Sequence, residues 1–296
     1  MNFDIKDSLL GKQASNPERY DASLLFRIPR AENRMHYDLD AKALPFTGVD
    51  VWNCYELSFM TDNGLPVSRV LKLIYAAESE FLVESKSLKL YLNSFNMEAF
   101  GKTIDEALQK VQQTITHDLS VLLETEVIAV LLSEKDQELV PFVNLPQLTD
   151  LMPEEQLLAA EFSHYLETPE LLKGTRTDTA RRYAFRSDLL RSNCRVTNQP
   201  DWGDLFVVME AECDIDLVSV VAYLVSFRKE NHFHEEVVEM IYKRFYDIFS
   251  PKKLMVAAMY TRRGGIDINP LRASHVEMID EAFVSRECRL GKTLRQ

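Results

Sequence analysis

The amino-acid sequence predicts an α+β fold built from two similar halves. An Asn-Gly pair joins two strand-like segments, 52–60 and 67–76, as it does in a β-hairpin. Apolar residues spaced three and four apart predict a long amphipathic helix over 104–122. A short pattern at 91–95 also occurs 132 positions later. Strands, helices and this internal echo together indicate a duplicated mixed unit.

The remaining segments follow the same order in both halves. The predicted elements are a short strand at 81–83, a helix at 88–95, buried strands at 127–132 and 205–213, helices at 217–227 and 237–249, and strands at 254–261 and 266–271. The echo itself pairs Tyr91, Leu92, Ser94 and Phe95 with Tyr223, Leu224, Ser226 and Phe227. It also places Thr103 opposite Glu235. The repeated unit is therefore strand, strand, helix, helix, strand, strand.

Proline and charge mark the segments outside the repeats. Residues 1–50 are rich in both and predict an extended arm without long helices. Residues 141–175 carry four prolines and many carboxylates, as a connection between domains does. We therefore expect a first module at 51–140 and a second at 176–296.

Composition excludes several classes of protein. The chain has 296 residues and a formal net charge of −12, which disfavours direct nucleic-acid binding. Its apolar runs are shorter than the roughly 20 residues that span a bilayer. Residues 1–10 have no continuous apolar stretch of the signal-peptide kind. We therefore expect a cytoplasmic protein without membrane contact.

The cysteines and histidines do not form a metal-binding pattern. Four cysteines are widely separated, so we expect reduced thiols instead of disulfides or a zinc ribbon. His232 and His234 are two residues apart, and on a helix they would point in different directions. No cysteine is near them, so we expect no metal site.

Residues 84–91, Glu-Ser-Lys-Ser-Leu-Lys-Leu-Tyr, are the most unusual stretch of the chain. Two lysines and a glutamate crowd the point where a strand enters a helix. A helix N-terminus with Ser85 and Lys86 can hold a phosphate, and Glu84 can accept the paired N–H donors of a guanine-type edge. The simpler alternative is a solvated helix start with both lysines in water.

Cys194 lies in a polar stretch between two arginines, Arg191 and Arg195. Positive charge favours the thiolate, which is the nucleophilic form of cysteine. Asp201 follows seven residues later beside Trp202, in what we expect to be a turn folding back over Cys194. Its simplest role there would be to form an Asx-turn. The other three cysteines, Cys54, Cys213 and Cys288, have the surroundings of structural residues.

The signature at 84–91, together with Cys194 and the residues that follow in order, resembles the QueF-type nitrile reductases of queuosine biosynthesis, in their long two-module form. The resemblance covers nearly the whole chain. It implies two tandem tunnelling-fold modules, each an antiparallel sheet with helices on one face, in a homo-oligomer that we expect to be a homodimer. The implied reaction is the NADPH-dependent reduction of 7-cyano-7-deazaguanine to the aminomethyl compound, without a metal.

The resemblance also assigns roles to residues. It implies that Cys194 adds to the nitrile as a thioimidate and that Asp201, kept partly protonated by burial, supplies the proton. Substrate contacts would come from Val83, Glu84, Ser85, Phe233, His234 and Glu235, with Phe233 stacking on the base. NADPH would be bound by Ser85, Lys86, Arg263 and Gly264. The chain has no GxGxxG motif for a Rossmann site.

Simpler or different interpretations remain open at this point. Glu235 near a helix start is stabilising by itself, and Arg262 to Gly265 can be only a charged hairpin turn. A zinc-dependent cyclohydrolase-type enzyme shares the implied fold but requires a metal site. A purine-binding or scaffold protein would keep Glu84 and Glu235 without any reactivity.

Overall fold

A computed structural model describes residues 19–293 and residue 296. The strands are β1 (Arg27–Pro29), β2 (Thr47–Met60), β3 (Pro66–Ala76), β4 (Phe81–Val83), β5 (Val127–Leu132), β6 (Glu138–Leu139), β7 (Gly174–Cys194), β8 (Pro200–Ile215), β9 (Asn231–His232), β10 (Lys253–Tyr260), β11 (Ile266–Ala273) and β12 (Arg289–Leu290). The α-helices are α1 (Ala31–Met35), α2 (Ser85–Asn93), α3 (Ile104–Leu123), α4 (Glu154–Ala159), α5 (Leu217–Ser226), α6 (His234–Phe249) and α7 (Glu281–Val284). The fold is therefore α+β, as predicted.

One eight-stranded sheet runs through both halves in the order β5-β3-β2-β11-β10-β8-β7-β9. All neighbouring strands are antiparallel except β7 and β9, which are parallel. Each half begins with a hairpin, β2 with β3 or β7 with β8, and the strand after the helices returns beside the second hairpin strand. The halves meet where β11 pairs with β2.

The longer helices cover one face of this sheet. Helices α2 and α3 share a core with β2, β3 and β5, while α5 and α6 share another with β7, β8 and β10. The opposite face of the central strands packs against Phe142 and Leu145 of the connection and Phe283 of α7. The site described below lies where the two helix-covered cores adjoin.

The sequence pattern that recurs after 132 positions lies in helices α2 and α5, and both helices begin with the same kind of cap. Glu84 caps α2 and Asp216 caps α5, and each carboxylate accepts backbone N–H groups of the first turn. The offset of 132 therefore holds for this pair. For the second helices the caps are Thr103 and Phe233, an offset of 130. The pairing of Thr103 with Glu235 is therefore wrong by two residues, because the chain before α6 is two residues shorter.

The structure differs from the sequence analysis at two elements. Strand β7 was not expected from the sequence. Nearly all of its residues 174–182 are exposed, so they lack the alternation of apolar and polar residues that predicts a strand. The described part of the predicted arm packs against the rest of the protein instead of extending from it: it forms β1, which pairs with β4, and α1, and it buries Arg30 and Arg34. Residues 1–18, including the segment examined for a signal peptide, lie outside the described residues.

The predicted module boundaries lie close to element boundaries. Strand β2 starts at Thr47 and β7 at Gly174, a few residues before the expected starts at 51 and 176. Because the sheet is continuous across β2 and β11, the two halves of the chain share one sheet. In the part of the chain that the structure describes, no helix is long and apolar enough to cross a membrane.

Candidate active site

A cavity of about 470 Å³ opens between the two halves of one chain. All eleven residues that the sequence analysis selected line it, namely Val83, Glu84, Ser85, Lys86, Cys194, Asp201, Phe233, His234, Glu235, Arg263 and Gly264. The first half contributes the end of β4 and the start of α2. The second half contributes the β7–β8 hairpin, the start of α6 and the turn after β10.

Glu84 forms the wall between β4 and α2. Its Oε1 accepts the backbone N–H of Lys86 at 2.9 Å, and its Oε2 accepts that of Ser87 at 2.8 Å. Burial raises the pKa of Glu84 despite these backbone hydrogen bonds. Glu84 also lines the cavity, so the residue that caps α2 is in position to meet a ligand.

Cationic side chains form the rim of the cavity. Lys86, Lys89 and Arg263 line it, and the Lys89 ammonium lies 3.3 Å from Glu56. Gly264 has φ +57°, and a Cβ there would lie 3.3 Å from Lys89 Nζ. The glycine thus leaves the rim open beside two cations. A phosphate-bearing cofactor such as NADPH fits this donor set.

Cys194 is the last residue of β7 and the first of a tight turn. Its N–H donates to Gln199 O at 2.8 Å, and its carbonyl accepts from Asn198, which has φ +55°. Cys194 is partly exposed to the cavity, whereas Cys54, Cys213 and Cys288 are buried. Of the four cysteines, Cys194 alone lines this cavity.

Arg191 and Arg195, which flank Cys194 in the sequence, form hydrogen bonds with groups other than the Cys194 sulfur. Arg191 donates to the carbonyl of Arg228, and Arg195 donates to Asn33 and to Glu236. Their guanidinium groups therefore hold neighbouring segments in place.

Asp201 lies within β8, opposite Ser192, and not in a turn as expected. Burial alone would raise its pKa, but hydrogen bonds from His234 and Arg263 outweigh burial and hold the pKa below its ordinary value. The Arg263 guanidinium donates directly to Oδ1, and His234 Nε2 lies 3.4 Å from Oδ2. The expectation of a partly protonated Asp201 is therefore wrong for the protein without substrate, where this group is a carboxylate.

His234 is fixed by stacking. Its ring lies parallel to Tyr260, with centroids 3.8 Å apart. Tyr260 in turn packs against Gly203, where a Cβ would approach its ring to 3.0 Å. A larger residue at 203 would displace the stacked pair. The backbone of β8 thus keeps the imidazole in reach of Asp201.

Glu235 is 3% exposed, and its Oε1 has no hydrogen-bond partner among the described residues. Burial, reinforced by Asp50, raises the pKa of Glu235 to about 8. Helix capping is carried out by Glu236, whose Oε2 accepts the N–H of Phe233 at 3.1 Å. Glu235 is therefore available for a ligand with N–H donors.

Sequence reasoning missed two groups of residues around this cavity. His232 was set aside as a metal ligand on the assumption that it shares a helix with His234, but it lies in β9, and both line the cavity. Buried charges behind Glu235 were also missed, namely Arg30, Arg34, Asp50, Glu239 and Arg272. The four-residue spacing of His232 and Glu236 could have indicated that these two side chains are in contact.

The site defines a class of protein: an α+β enzyme with one accessible thiol, an adjoining carboxylate and imidazole, buried acceptors and a cationic rim. Residues 16–131 match a family model described as nitrile reductase, 7-cyano-7-deazaguanine-reductase N-term, and residues 200–278 match one described as QueF-like protein.

Two curated relatives carry the name NADPH-dependent 7-cyano-7-deazaguanine reductase. The chain is 40% identical to that of Hydrogenovibrio crunogenus, over 95% of this chain and 96% of the relative. It is also 40% identical to that of Cupriavidus metallidurans, over 90% of this chain and 93% of the relative. The chain belongs to the family of NADPH-dependent 7-cyano-7-deazaguanine reductases, which confirms the resemblance found in the sequence.

Proposed function

We propose that this chain uses NADPH to reduce the nitrile of 7-cyano-7-deazaguanine to an aminomethyl group through a thioimidate on Cys194, a reaction of queuosine biosynthesis. The family supports the reaction, cofactor and substrate. The observation that carries the residue assignment is that one cavity combines the partly exposed Cys194 thiol with Asp201 and two buried glutamates.

Recognition of the base is assigned to the two glutamates. A 7-deazaguanine presents adjacent N–H donors on one edge, and such donors suit carboxylate acceptors in a dry pocket. Glu235 has a buried oxygen available for them, and Glu84 faces the same cavity from the other half. Phe233 adds an aromatic face, while Val83 and the Ser85 hydroxyl complete the contacts.

Covalent addition is assigned to Cys194 and Asp201. The Asp201 carboxylate takes the thiol proton, the sulfur bonds to the nitrile carbon, and the same proton passes to the nitrile nitrogen. Asp201 thus acts first as a base and then as an acid, which suits a group that is ionised before substrate binds. His234 holds Asp201 in place from the opposite side to Arg263.

When bound, NADPH would supply hydride to the nitrile carbon, two equivalents per aminomethyl group formed. Ser85, Lys86 and Arg263 would hold the cofactor phosphates, and Gly264 allows close approach of the backbone. Between the two reductions the Cys194 sulfur would leave as a thiolate, and an imine would remain. The second hydride would then require one proton from solvent at the nitrogen, and the thiolate would take another to regenerate the thiol.

We extend this proposal to the fold, the location and the oligomeric state of the chain. The repeated unit of hairpin, two helices and returning strands supports two tandem tunnelling-fold modules. We also propose a cytoplasmic homodimer that does not contact nucleic acid directly. A non-catalytic purine binder or a cyclohydrolase-like protein is not favoured, because the relatives are named as nitrile reductases.

The test is covalent trapping. Incubation with 7-cyano-7-deazaguanine and no NADPH should add one substrate mass to Cys194 alone, detected by peptide mass spectrometry. Cys194→Ala should bind the base and form neither adduct nor amine. An adduct on Cys54, Cys213 or Cys288, or nitrile reduction by Cys194→Ala, would refute the assignment.

A further inference from the structure

His232 lies beside Cys194 in the sheet. Strand β9 pairs in parallel with the end of β7, and Cys194 and His232 are direct partners in the register. Partners in adjacent strands are about 4.8 Å apart, with side chains on the same face. Both residues line the cavity. His232 is therefore the ionisable residue that neighbours Cys194 on the adjacent strand.

The His232 ring is held from both sides by carboxylates. Nε2 lies 2.9 Å from Glu230 Oε2, and Nδ1 lies 3.2 Å from Glu236 Oε2. An ionised carboxylate only accepts hydrogen bonds, so both ring nitrogens must carry protons to satisfy this arrangement. The geometry therefore requires an imidazolium.

The two carboxylates that contact His232 have further partners of their own. Glu230 comes from the segment before β9 and also accepts the N–H of Glu167 at 2.9 Å. Glu236 comes from α6 and also binds Arg195, at 3.0 Å, from the turn that follows Cys194. Two carboxylates and two cations thus balance beside the thiol. Loss of the imidazolium would leave one uncompensated negative charge there.

We propose that His232, as an imidazolium clamped by Glu230 and Glu236, is a positioning residue that joins the Cys194 end of β7 to the start of α6 and keeps the surroundings of the thiol from becoming negative. This inference rests on the proposed role of Cys194 as the nucleophile. His232 acts through Cys194 and through the substrate-facing start of α6, not on the reacting atoms.

The direction of the His232 titration agrees with this role. Burial alone would lower the pKa of His232, but hydrogen bonds to Glu230 and Glu236 outweigh burial and raise it to about 9. The stabilisation of the fold by the clamp is complete below the ordinary pKa of 6.5 and is lost as the pH rises through about 9.

The experiment measures alkylation of Cys194 by iodoacetamide as a function of pH, resolved by peptide mass. In His232→Gln the midpoint should rise by about one pH unit, so the rate at pH 7 should fall about tenfold. The double variant Glu230→Gln/His232→Gln removes one negative charge as well and should recover most of that rate. His117→Gln, an exposed histidine on α3, serves as the matched control and should match the unaltered protein.

The outcomes separate the two hypotheses. Slow alkylation of Cys194 in the unaltered protein would overturn the nucleophile, and this inference with it. Fast alkylation with the same pH profile in His232→Gln would overturn the role of His232 alone. If His232→Gln does not fold, ¹⁵N spectra of the unaltered protein decide: protons on both ring nitrogens at pH 7 support the clamp, and a neutral ring refutes it.

Discussion

Buried carboxyl groups near the substrate cavity differ in charge because they differ in partners. Asp50 and Glu239 are fully buried, but nearby arginines outweigh burial and hold the pKa of each below its ordinary value. Glu235 is equally buried and receives no direct hydrogen bond from those arginines, so its pKa rises to about 8. The free protein therefore carries a neutral Glu235 at pH 7 beside two ionised neighbours.

Substrate binding should release a proton from Glu235. With a pKa of about 8 the group is roughly nine-tenths protonated at pH 7, and N–H donors from the base favour its ionised form. Calorimetric titration of Cys194→Ala with the nitrile, in buffers of different ionisation enthalpy, should show release of up to about one proton. The same measurement with Cys194→Ala/Glu235→Gln should show little. Identical enthalpies in all buffers would contradict the prediction.

The sequence largely predicted which residues line the site. It did not predict their protonation states. The signature at 84–91, together with Cys194, identified eleven residues that line one cavity. The protonation of Asp201 was misjudged because it depends on Arg263 and His234, which are 62 and 33 positions away in sequence. A pattern in sequence does not specify which distant cation meets a buried carboxylate.

The turn between β10 and β11 places one arginine inside the cavity and its neighbour outside. Arg263→Ala should raise the KM for NADPH about tenfold or more, and more than the KM for NADH, because NADPH carries the extra phosphate. Arg262→Ala is the control, since the Arg262 guanidinium stacks 4.4 Å from the centre of the Tyr55 ring. Equal changes for both cofactors would mean that Arg263 acts only within the turn.

The equivalent starts of α2 and α5 allow capping to be separated from binding. Glu84→Ala and Asp216→Ala each remove a carboxylate that accepts two backbone N–H groups, so each should lower the free energy of unfolding by about 1 kcal/mol. Only Glu84→Ala should also weaken nitrile binding, by about tenfold in a Cys194→Ala background. Urea unfolding and calorimetry measure the two effects. Unchanged affinity in Glu84→Ala would leave Glu84 as a helix cap alone.

Elements with strong periodicity were predictable, and those held by tertiary contacts were not. Helix α3 and the β2–β3 hairpin have the predicted positions, since apolar spacing and the Asn-Gly turn specify them locally. Strand β7 was missed because its first half is polar and pairs mainly with β8. Helix α1 was missed because it is only five residues long and depends on buried ion pairs.

Those ion pairs connect distant parts of the whole molecule. Arg34 in α1 binds both oxygens of Glu239 in α6, at 2.9 and 2.7 Å, and also the carbonyl of Ala77 after β3. Arg272 from β11 bridges Glu239 and Asp50. The segment before the first module is thus fixed to both halves directly behind the substrate cavity.

Arg34→Met should lower the free energy of unfolding by about 3–5 kcal/mol, because it removes one partner of a buried pair. Arg181→Met, which breaks the half-exposed pair with Asp214, should cost less than about 1 kcal/mol. Urea denaturation at pH 7 compares them, and equal losses would contradict the prediction.

The same variants test pH dependence. The lowered pKa values of Asp50 and Glu239 mean that their contribution to stability is present above the ordinary values of 3.8 and 4.5 and is lost as the pH falls below them. Unfolding of Arg34→Met should therefore depend less steeply on acid than unfolding of the unaltered protein.

The pairing of β2 with β11 has a consequence for synthesis on the ribosome. Its partners, such as Cys54 and Ile266, are 212 positions apart, so the contact order of the sheet is high. Until β11 leaves the exit tunnel, the nascent chain presents residues 47–54 of β2 as an open edge with unpaired amides. The sheet closes, and the cavity acquires the part of its lining formed by Ile266 and Ile268, only after β11 has been synthesised.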